Sequence, residues 1–247
     1  MDVSVILSAH AGGLHVVPSI RSIEQARAEA TEAGVSVEVL VVADRPNRLT
    51  EDCLIGNASA DGQYIRVDFG DAGIARNEAV RRASGAWVAF LEEGDLFCSN
   101  WIRDAFAAAD SETRPTVWHP EFDLHFGEDV YLSPNPIIED STDDRLPRLV
   151  YECPWGGSFL ARRELLLDLP FLAVDEAQGV GREPWGWHLR TLAAGRLHKT
   201  VPDTCNFLRG HRADVFPDPQ GRSKTTPMRS GCFTGHLSRS GSVDRGR

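Results

Sequence analysis

Along the first 120 residues, short apolar runs alternate with loops and with stretches of helical period. Residues 3–7 form a short apolar run and residues 8–13 are loop-like. Residues 16–33 place Val17, Ile20, Ile23, Ala26, Ala30 and Ala33 at the spacing of a helix with one buried face. Residues 37–42 are almost wholly apolar, which predicts a strand buried on both faces. Strand, helix and strand in that order predict parallel βαβ construction. The pattern returns as a strand over 64–67, a helix over 72–83 ended by Ser84 and Gly85, and a strand over 87–91. Ser99 is expected to cap a further helix carrying Trp101, Ile102, Ala105, Phe106 and Ala109, and residues 116–119 to form a strand. The result is an open α/β sheet, whose ligands bind outside the carboxyl ends of its strands.

The period fails over residues 121–144, which hold eight acids and no Lys or Arg, and this stretch reads as a solvated acidic loop. Regular structure is expected again as a strand over 157–160, a helix over 162–169, a helix over 187–194 ended by Gly195, and strands over 197–201 and 204–208. Residues 220–247 have no apolar period and read as a disordered tail.

Composition narrows the function classes. The chain has 247 residues, 42% of them hydrophobic, and a net charge of −10. Residues 220–247 hold six basic side chains and one acid, so the tail is +5 and the rest of the chain −15. A body of that sign argues against coating nucleic acid, where affinity comes from neutralised phosphates. No stretch reads as a signal peptide or a membrane span, so a cytoplasmic location is expected, with the basic tail able to touch an anionic membrane face. The five cysteines are scattered without a C-x-x-C pair, which supports neither a zinc site nor a disulfide framework.

Candidate chemistry gathers where strands are expected to end. Asp44 follows the second apolar strand, where a carboxylate can accept a nucleobase N–H or cap a turn. Gly70 to Asn77 open a helix, so free backbone N–H groups and Arg76 would face the same crevice. The strand ending at Leu91 runs into Glu92, Glu93, Gly94 and Asp95, oxygen ligands suited to Mg²⁺ or Mn²⁺.

These motifs carry a resemblance. Val41-Val42-Ala43-Asp44, Gly70-Asp71-Ala72-Gly73-Ile74-Ala75-Arg76-Asn77 and the stretch from Gly85 through Phe90-Leu91-Glu92-Glu93-Gly94-Asp95 resemble, in order, the conserved text of glycosyltransferase family 2. Residues 157–163, residues 179–190 and Phe207-Leu208-Arg209-Gly210-His211 are similar to its later motifs. The resemblance implies a single GT-A fold, a Rossmann-like open mixed sheet with flanking helices, over residues 1–219. Residues 1–110 would bind the nucleotide-sugar and 111–219 the acceptor. It implies inverting transfer of a sugar from a nucleoside-diphosphate donor to a carbohydrate or lipid-linked acceptor, assisted by a divalent cation.

Carried over residue by residue, Ala9, Asp44, Arg76, Asn77, Glu92 and Glu93 would hold the donor, and Asp95 with His211 the cation. Two departures stand out: glycine occupies the usual metal aspartate, which shifts the motif to Glu93-Gly94-Asp95, and Glu183-Pro184 replaces Glu-Asp. Glu183 is then the nearest substitute for the general base, with Asp175 and Glu176 behind it. Weak or absent metal binding stays open, as does a bland surface role for His211. Trp155 and Trp185, read as loop residues beside Gly156, Gly157 and Gly186, could offer indole faces to a sugar ring, whereas Trp187 on its helix is as readily a core residue. The alternatives are a degenerate nucleotide-binding relative without catalysis, and a nucleotidyltransferase. Residues 8–15 lack the Lys or Arg that a nucleotidyltransferase's triphosphate loop would carry, which counts against the second.

Overall fold

Three of the apolar runs become the centre of one sheet. In the computed structural model, which describes residues 1–57, 62–127, 130–140, 143–150, 153–174 and 184–210, β1 (Val3–Ala9) lies between β2 (Val37–Asp44) and β4 (Trp87–Glu92), parallel to both. β3 (Gln63–Val67) continues the parallel set beyond β2. On the other side the sheet turns mixed: β7 (Leu160–Arg162) runs antiparallel to β4 and to β5 (Thr116–Phe126), and β6 (Tyr131–Pro134) is antiparallel to β5. β8 (Leu197–Arg209) runs parallel to β5 along its whole length, with one bulge at Pro120 to Phe122. The eight strands follow the order β3-β2-β1-β4-β7-β5-β6, with β8 paired to β5, and form an open mixed sheet.

Side chains alternate across the strands and feed two separate cores. Val3, Val5 and Leu7, with Val39, Val41, Ala89 and Leu91, pack against α1 (Val16–Glu32) and α4 (Trp101–Ser111). Ile6, Leu40, Val42, Val88 and Phe90 face the opposite way, onto α3 (Ala72–Arg82) and onto residues from α5 (Arg163–Asp168) and α6 (Trp185–Ala193). A smaller cluster of Ile138, Leu149, Trp155 and Leu189 lies in the second half. No described helix is long and apolar enough to cross a membrane.

Several local expectations are corrected. A helix not foreseen, α2 (Arg48–Asn57), buries only Thr50 and Leu54, too few positions to show a period. Ser99 is not a cap: Asn100 holds the N-cap position already in helical geometry, and its amide donates instead to Asp104 and to the Asp203 carbonyl. The strand expected over 157–160 starts only at Leu160, and Gly157 ahead of it lies against the Glu92 side chain. The first part of the acidic stretch is not loop but β5 and β6, paired from Phe122 with Pro134 to His125 with Tyr131. The two strands expected over 197–208 are one, β8, which passes through Asp203 at a positive φ of 60°. The four described cysteines, Cys53, Cys98, Cys153 and Cys205, are free thiols and half-buried.

Candidate active site

The carboxyl ends of β1, β2 and β4 are in register, Ser8 opposite Glu92 and Ala9 opposite Ala43, so they open at one level. There they border a crevice of about 400 Å³ lined by Ala9, His10, Asp44, Ala72, Arg76, Glu92 and Glu93, among others. Five of the expected donor-side residues, Ala9, Asp44, Arg76, Glu92 and Glu93, are thereby brought together.

Asp44 does more there than edge the crevice. It is buried, and its Oδ1 accepts the N–H groups of Phe69 and Gly70 at 2.8 and 2.9 Å while Oδ2 accepts that of Asp71 at 2.8 Å. Gly70 has a φ of 66°, a left-handed value that favours glycine. Asp71 in turn caps α3, its Oδ1 accepting the Ile74 N–H at 2.9 Å. One carboxylate therefore fixes the loop that aims the positive end of α3 into the crevice.

Arg76 follows one turn into α3. It is 3% exposed, donates from Nη2 to Glu92 Oε1 at 2.6 Å, lies over the Phe171 ring, and leaves Nη1 buried without a partner. Asn77 does not line the crevice: its amide donates to the Phe171 carbonyl at 2.8 Å and accepts the Phe171 N–H at 2.9 Å, which pins the 171 segment to α3.

The carboxylates after β4 part company. Glu93 turns toward the loop after β1 and accepts the Ala11 N–H at 2.8 Å, leaving Oε2 buried and unpartnered. Gly94 adopts a φ of 95°, which reverses the chain. Asp95 then points toward the end of β8 and accepts the Arg209 N–H at 2.7 Å. Burial, then the charges of Glu92 and Asp123, hold the Asp95 carboxyl well above the usual carboxylate range against the opposing Arg209 N–H.

Asp123 on β5 was hidden in the acidic stretch. It is 2% exposed, takes a hydrogen bond from Asn135 at 3.0 Å, and keeps Oδ1 unpartnered. Burial pushes it up to about 6, with the Asn135 and Gly156 hydrogen bonds opposing. The charges of Glu92 and Asp123 thus reach Asp95, and Asp123 keeps one oxygen orphaned. Carboxylate oxygens are the donors that a hard divalent cation prefers, but the oxygens of these three side chains do not gather within reach of a single ion.

The second half departs further from expectation. Trp155 is 5% exposed and stacked against His119 and His198, with its indole N–H given to the Pro136 carbonyl, so it packs inside and not as an open platform. Trp185 opens α6, not a loop, and donates to the Leu149 carbonyl at 2.8 Å. Gly156 and Gly157 are closely approached by side-chain ends: a Cβ on Gly156 would sit 2.6 Å from Leu208 Cδ1 and one on Gly157 2.5 Å from Glu92 Oε1, so a side chain there would need those ends to move. Glu183, Asp175, Glu176, His211 and the basic tail lie outside the described residues. The three histidines His119, His188 and His198 gave no sequence signal, being 69 and 10 positions apart on different elements.

The comparisons with known proteins bear on this architecture. No family model and no curated protein matches the chain. Among solved structures, S. aureus TarS 1-349 in complex with UDP is similar with a TM-score of 0.66 and 17% identity, over 85% of this chain and 61% of that one. The same protein in complex with UDP-GlcNAc has a TM-score of 0.66 and 17% identity, with 85% and 59% covered. The chain thus spans about three fifths of the TarS chains it matches. The chain has a GT-A fold. M. tuberculosis glucosyl-3-phosphoglycerate synthase in complex with Mn²⁺, UDP and phosphoglyceric acid is also similar, with a TM-score of 0.58 and 17% identity over 99% of this chain and 80% of that one.

Proposed function

We propose that this GT-A chain is an inverting glycosyltransferase that moves a sugar from a nucleoside-diphosphate donor to an acceptor hydroxyl. The observation that carries the reading is the crevice at the carboxyl ends of β1, β2 and β4, where the start of α3, Arg76 and the carboxylates after β4 converge. The similar structures bind UDP in a fold of the same kind, which supports a uridine or related nucleotide as the donor's carrier.

The chemistry asks for two things. The acceptor hydroxyl must lose a proton as it attacks the anomeric carbon, and the leaving diphosphate must have its growing charge met. Glu183, assigned from the motif over residues 179–190, takes the proton. The α3 N-terminus and Arg76 meet the diphosphate, because N–H groups and a guanidinium there need no rearrangement to receive negative charge. A divalent cation held by Asp95 and Glu92, with His211 supplied from the following segment, would add Lewis-acid stabilisation of the diphosphate. Residues 111–219 would bind the carbohydrate or lipid-linked acceptor beside the Gly156–Gly157 turn. A cytoplasmic setting, where nucleotide-sugars are drawn on, fits this reading, with contact to a membrane face through the basic tail.

A second reading, nucleotide binding without catalysis, is favoured by one feature: Asp95, the expected cation ligand, has an oxygen committed to the Arg209 backbone N–H. Calorimetry with UDP, GDP, dTDP and CMP, with and without Mn²⁺, followed by donor-turnover assays on wild type and Glu183→Gln, separates the two. Turnover that Glu183→Gln abolishes without loss of nucleotide affinity supports transfer. Binding with no turnover across a donor panel supports the second reading, and no binding of any of the four nucleotides overturns both.

A further inference from the structure

The second half of the molecule contains three histidines that the reading above does not use. His119 on β5, His198 on β8 and His188 on α6 are each 0% exposed, and one ring nitrogen from each can be chosen so that all lie within 4.8 Å of one another. Trp155 covers the group, stacked on His198 with ring centres 4.4 Å apart and on His119 at 4.9 Å.

Hydrogen bonding fixes which nitrogens carry protons. The Thr191 hydroxyl lies 2.8 Å from the His188 carbonyl, which can only accept, so its one hydrogen is spent there. Toward His198 Nε2, at 2.9 Å, Thr191 Oγ1 can therefore only accept, and His198 is the Nε2–H tautomer. Its Nδ1 then bears a lone pair. The contact from His119 Nε2 to that atom, 2.9 Å, requires His119 to be the donor, which leaves a bare lone pair on His119 Nδ1 with no partner. Neither ring nitrogen of His188 has a partner in hydrogen-bond geometry, and burial pushes its pKa down to about 3 against the opposing nearby Gly156 backbone. Three of the six imidazole nitrogens are thus buried and unsatisfied, each having lost its water without gaining a partner.

We propose that His119, His188 and His198 form a binding site for a borderline transition-metal ion, Zn²⁺ or a close analogue, which cross-links β5, β8 and α6. The donor set decides the class. Neutral imidazoles suit Zn²⁺, Co²⁺, Ni²⁺ or Cu²⁺ and not the hard cations that the carboxylates of the crevice would hold. His198 is already arranged as a ligand: its Nδ1 lone pair faces the cluster, where it accepts the His119 Nε2–H that an ion would displace, and its Nε2–H is held by Thr191, the outer hydrogen bond that metal-bound histidines commonly make. Two ligands on one tetrahedral ion stand about 3.3 Å apart, so the His119–His198 pair would open by a few tenths of an ångström, and His119 would move its proton to Nδ1. Three protein ligands leave the fourth position to water or hydroxide. The ion would fix α6 against the β5–β8 pair and, through Trp155, the Gly156–Gly157 turn beside Glu92.

The test uses the full chain stripped of metal with a chelator and titrated with Co²⁺ or Zn²⁺ alone, without nucleotide. One equivalent of Co²⁺ is expected to give the visible absorption of a tetrahedral nitrogen-ligated ion, displaced by Zn²⁺. Zn²⁺ at a hundredfold excess over its dissociation constant should raise the melting temperature by about 5–10 °C. Both signals should vanish in His188→Gln and persist in Asp95→Asn. No Co²⁺ spectrum and no Zn²⁺ shift in wild type overturns the proposal, as does a spectrum that survives His188→Gln. Should His188→Gln not fold, the Asp95→Asn protein decides: a signal lost there places the ion at the Asp95 carboxylate and overturns the proposal, and one retained supports it. Nucleotide binding plays no part in these readouts, so their failure leaves the transferase reading untouched.

Discussion

Asp44→Asn tests whether the carboxylate after β2 holds a loop or faces a ligand. In the structure its two oxygens accept three backbone N–H groups, two on Oδ1 and one on Oδ2. Asparagine can keep its carbonyl toward Phe69 and Gly70, but its NH₂ then opposes the Asp71 N–H, donor against donor. One hydrogen bond to a charged acceptor is lost, worth about 1.5–3 kcal/mol. For a chain of this size that lowers the melting temperature by roughly 4–10 °C. Asp71 caps α3, so the loosened loop should also blur the helix start and weaken nucleotide binding as a secondary effect. The assay is thermal and urea unfolding of the nucleotide-free protein, paired with calorimetry for the nucleotide that wild type binds. An unchanged melting temperature together with a large loss of affinity would refute the reasoning, because it would mean the carboxylate is free of the loop and spends its lone pairs on the ligand.

Asn77→Ala should cost about 2–4 kcal/mol in urea unfolding, since it leaves the buried N–H and C=O of Phe171 unpaired, while nucleotide affinity measured well below the melting temperature stays near wild type. Asp123 gives a pH signature. Its pKa is raised from 3.8 to about 6, so across that window the folded state holds a proton the unfolded state has lost, and stability falls as pH rises before levelling off above it. Asp123→Asn should remove that slope, worth at most about 3 kcal/mol, in urea titrations at a series of pH values in the presence of EDTA. Gly85→Ala should destabilise by about 3 kcal/mol in the same unfolding assay, because its Cβ would lie 2.5 Å from the Ser4 backbone nitrogen, where the backbone cannot yield cheaply.

The parallel half was legible because burial on both faces writes itself as continuous apolar sequence. Residues 37–42 and 87–91 read as strands for that reason, and their ends then located Asp44 and Glu92, while the helix start over residues 70–77 located Arg76. α2 was illegible because only Thr50 and Leu54 are buried while Leu49 and Ile55 lie exposed, so its apolar residues do not mark one buried face. The mixed half failed differently. β5 is half-buried and carries His119, Asp123 and His125 among its apolar residues, so the alternation that marks a strand is broken by polar side chains that point inward. Trp185 was read as a loop residue beside Gly186, ahead of a helix expected from residue 187, yet Pro184 occupies the N-cap position and α6 begins immediately after it. Asn77 shows the limit of a motif: its position matches the family text, but only the fold reveals that its amide is spent on Phe171.

The two halves therefore place their polar groups by opposite rules, and the Gly156–Gly157 turn is where the rules meet. In the first half polar groups gather at strand ends, where the sheet stops and solvent begins, and the strand interiors stay almost wholly apolar. In the second half they lie inside, with His119, Asp123, Asn135, His188, His198, Thr204 and Asn206 all buried. Such an interior stabilises poorly, because each buried polar group must find a partner or leave a penalty, and several here have none. Gly157 lets Glu92 of the first system lie against the turn, while Gly156 brings its backbone to Asp123 and His188 of the second. A Cβ at Gly157 would press on the end of Glu92 and one at Gly156 on the end of Leu208, so these two glycines let the crevice and the buried polar interior approach each other through backbone alone.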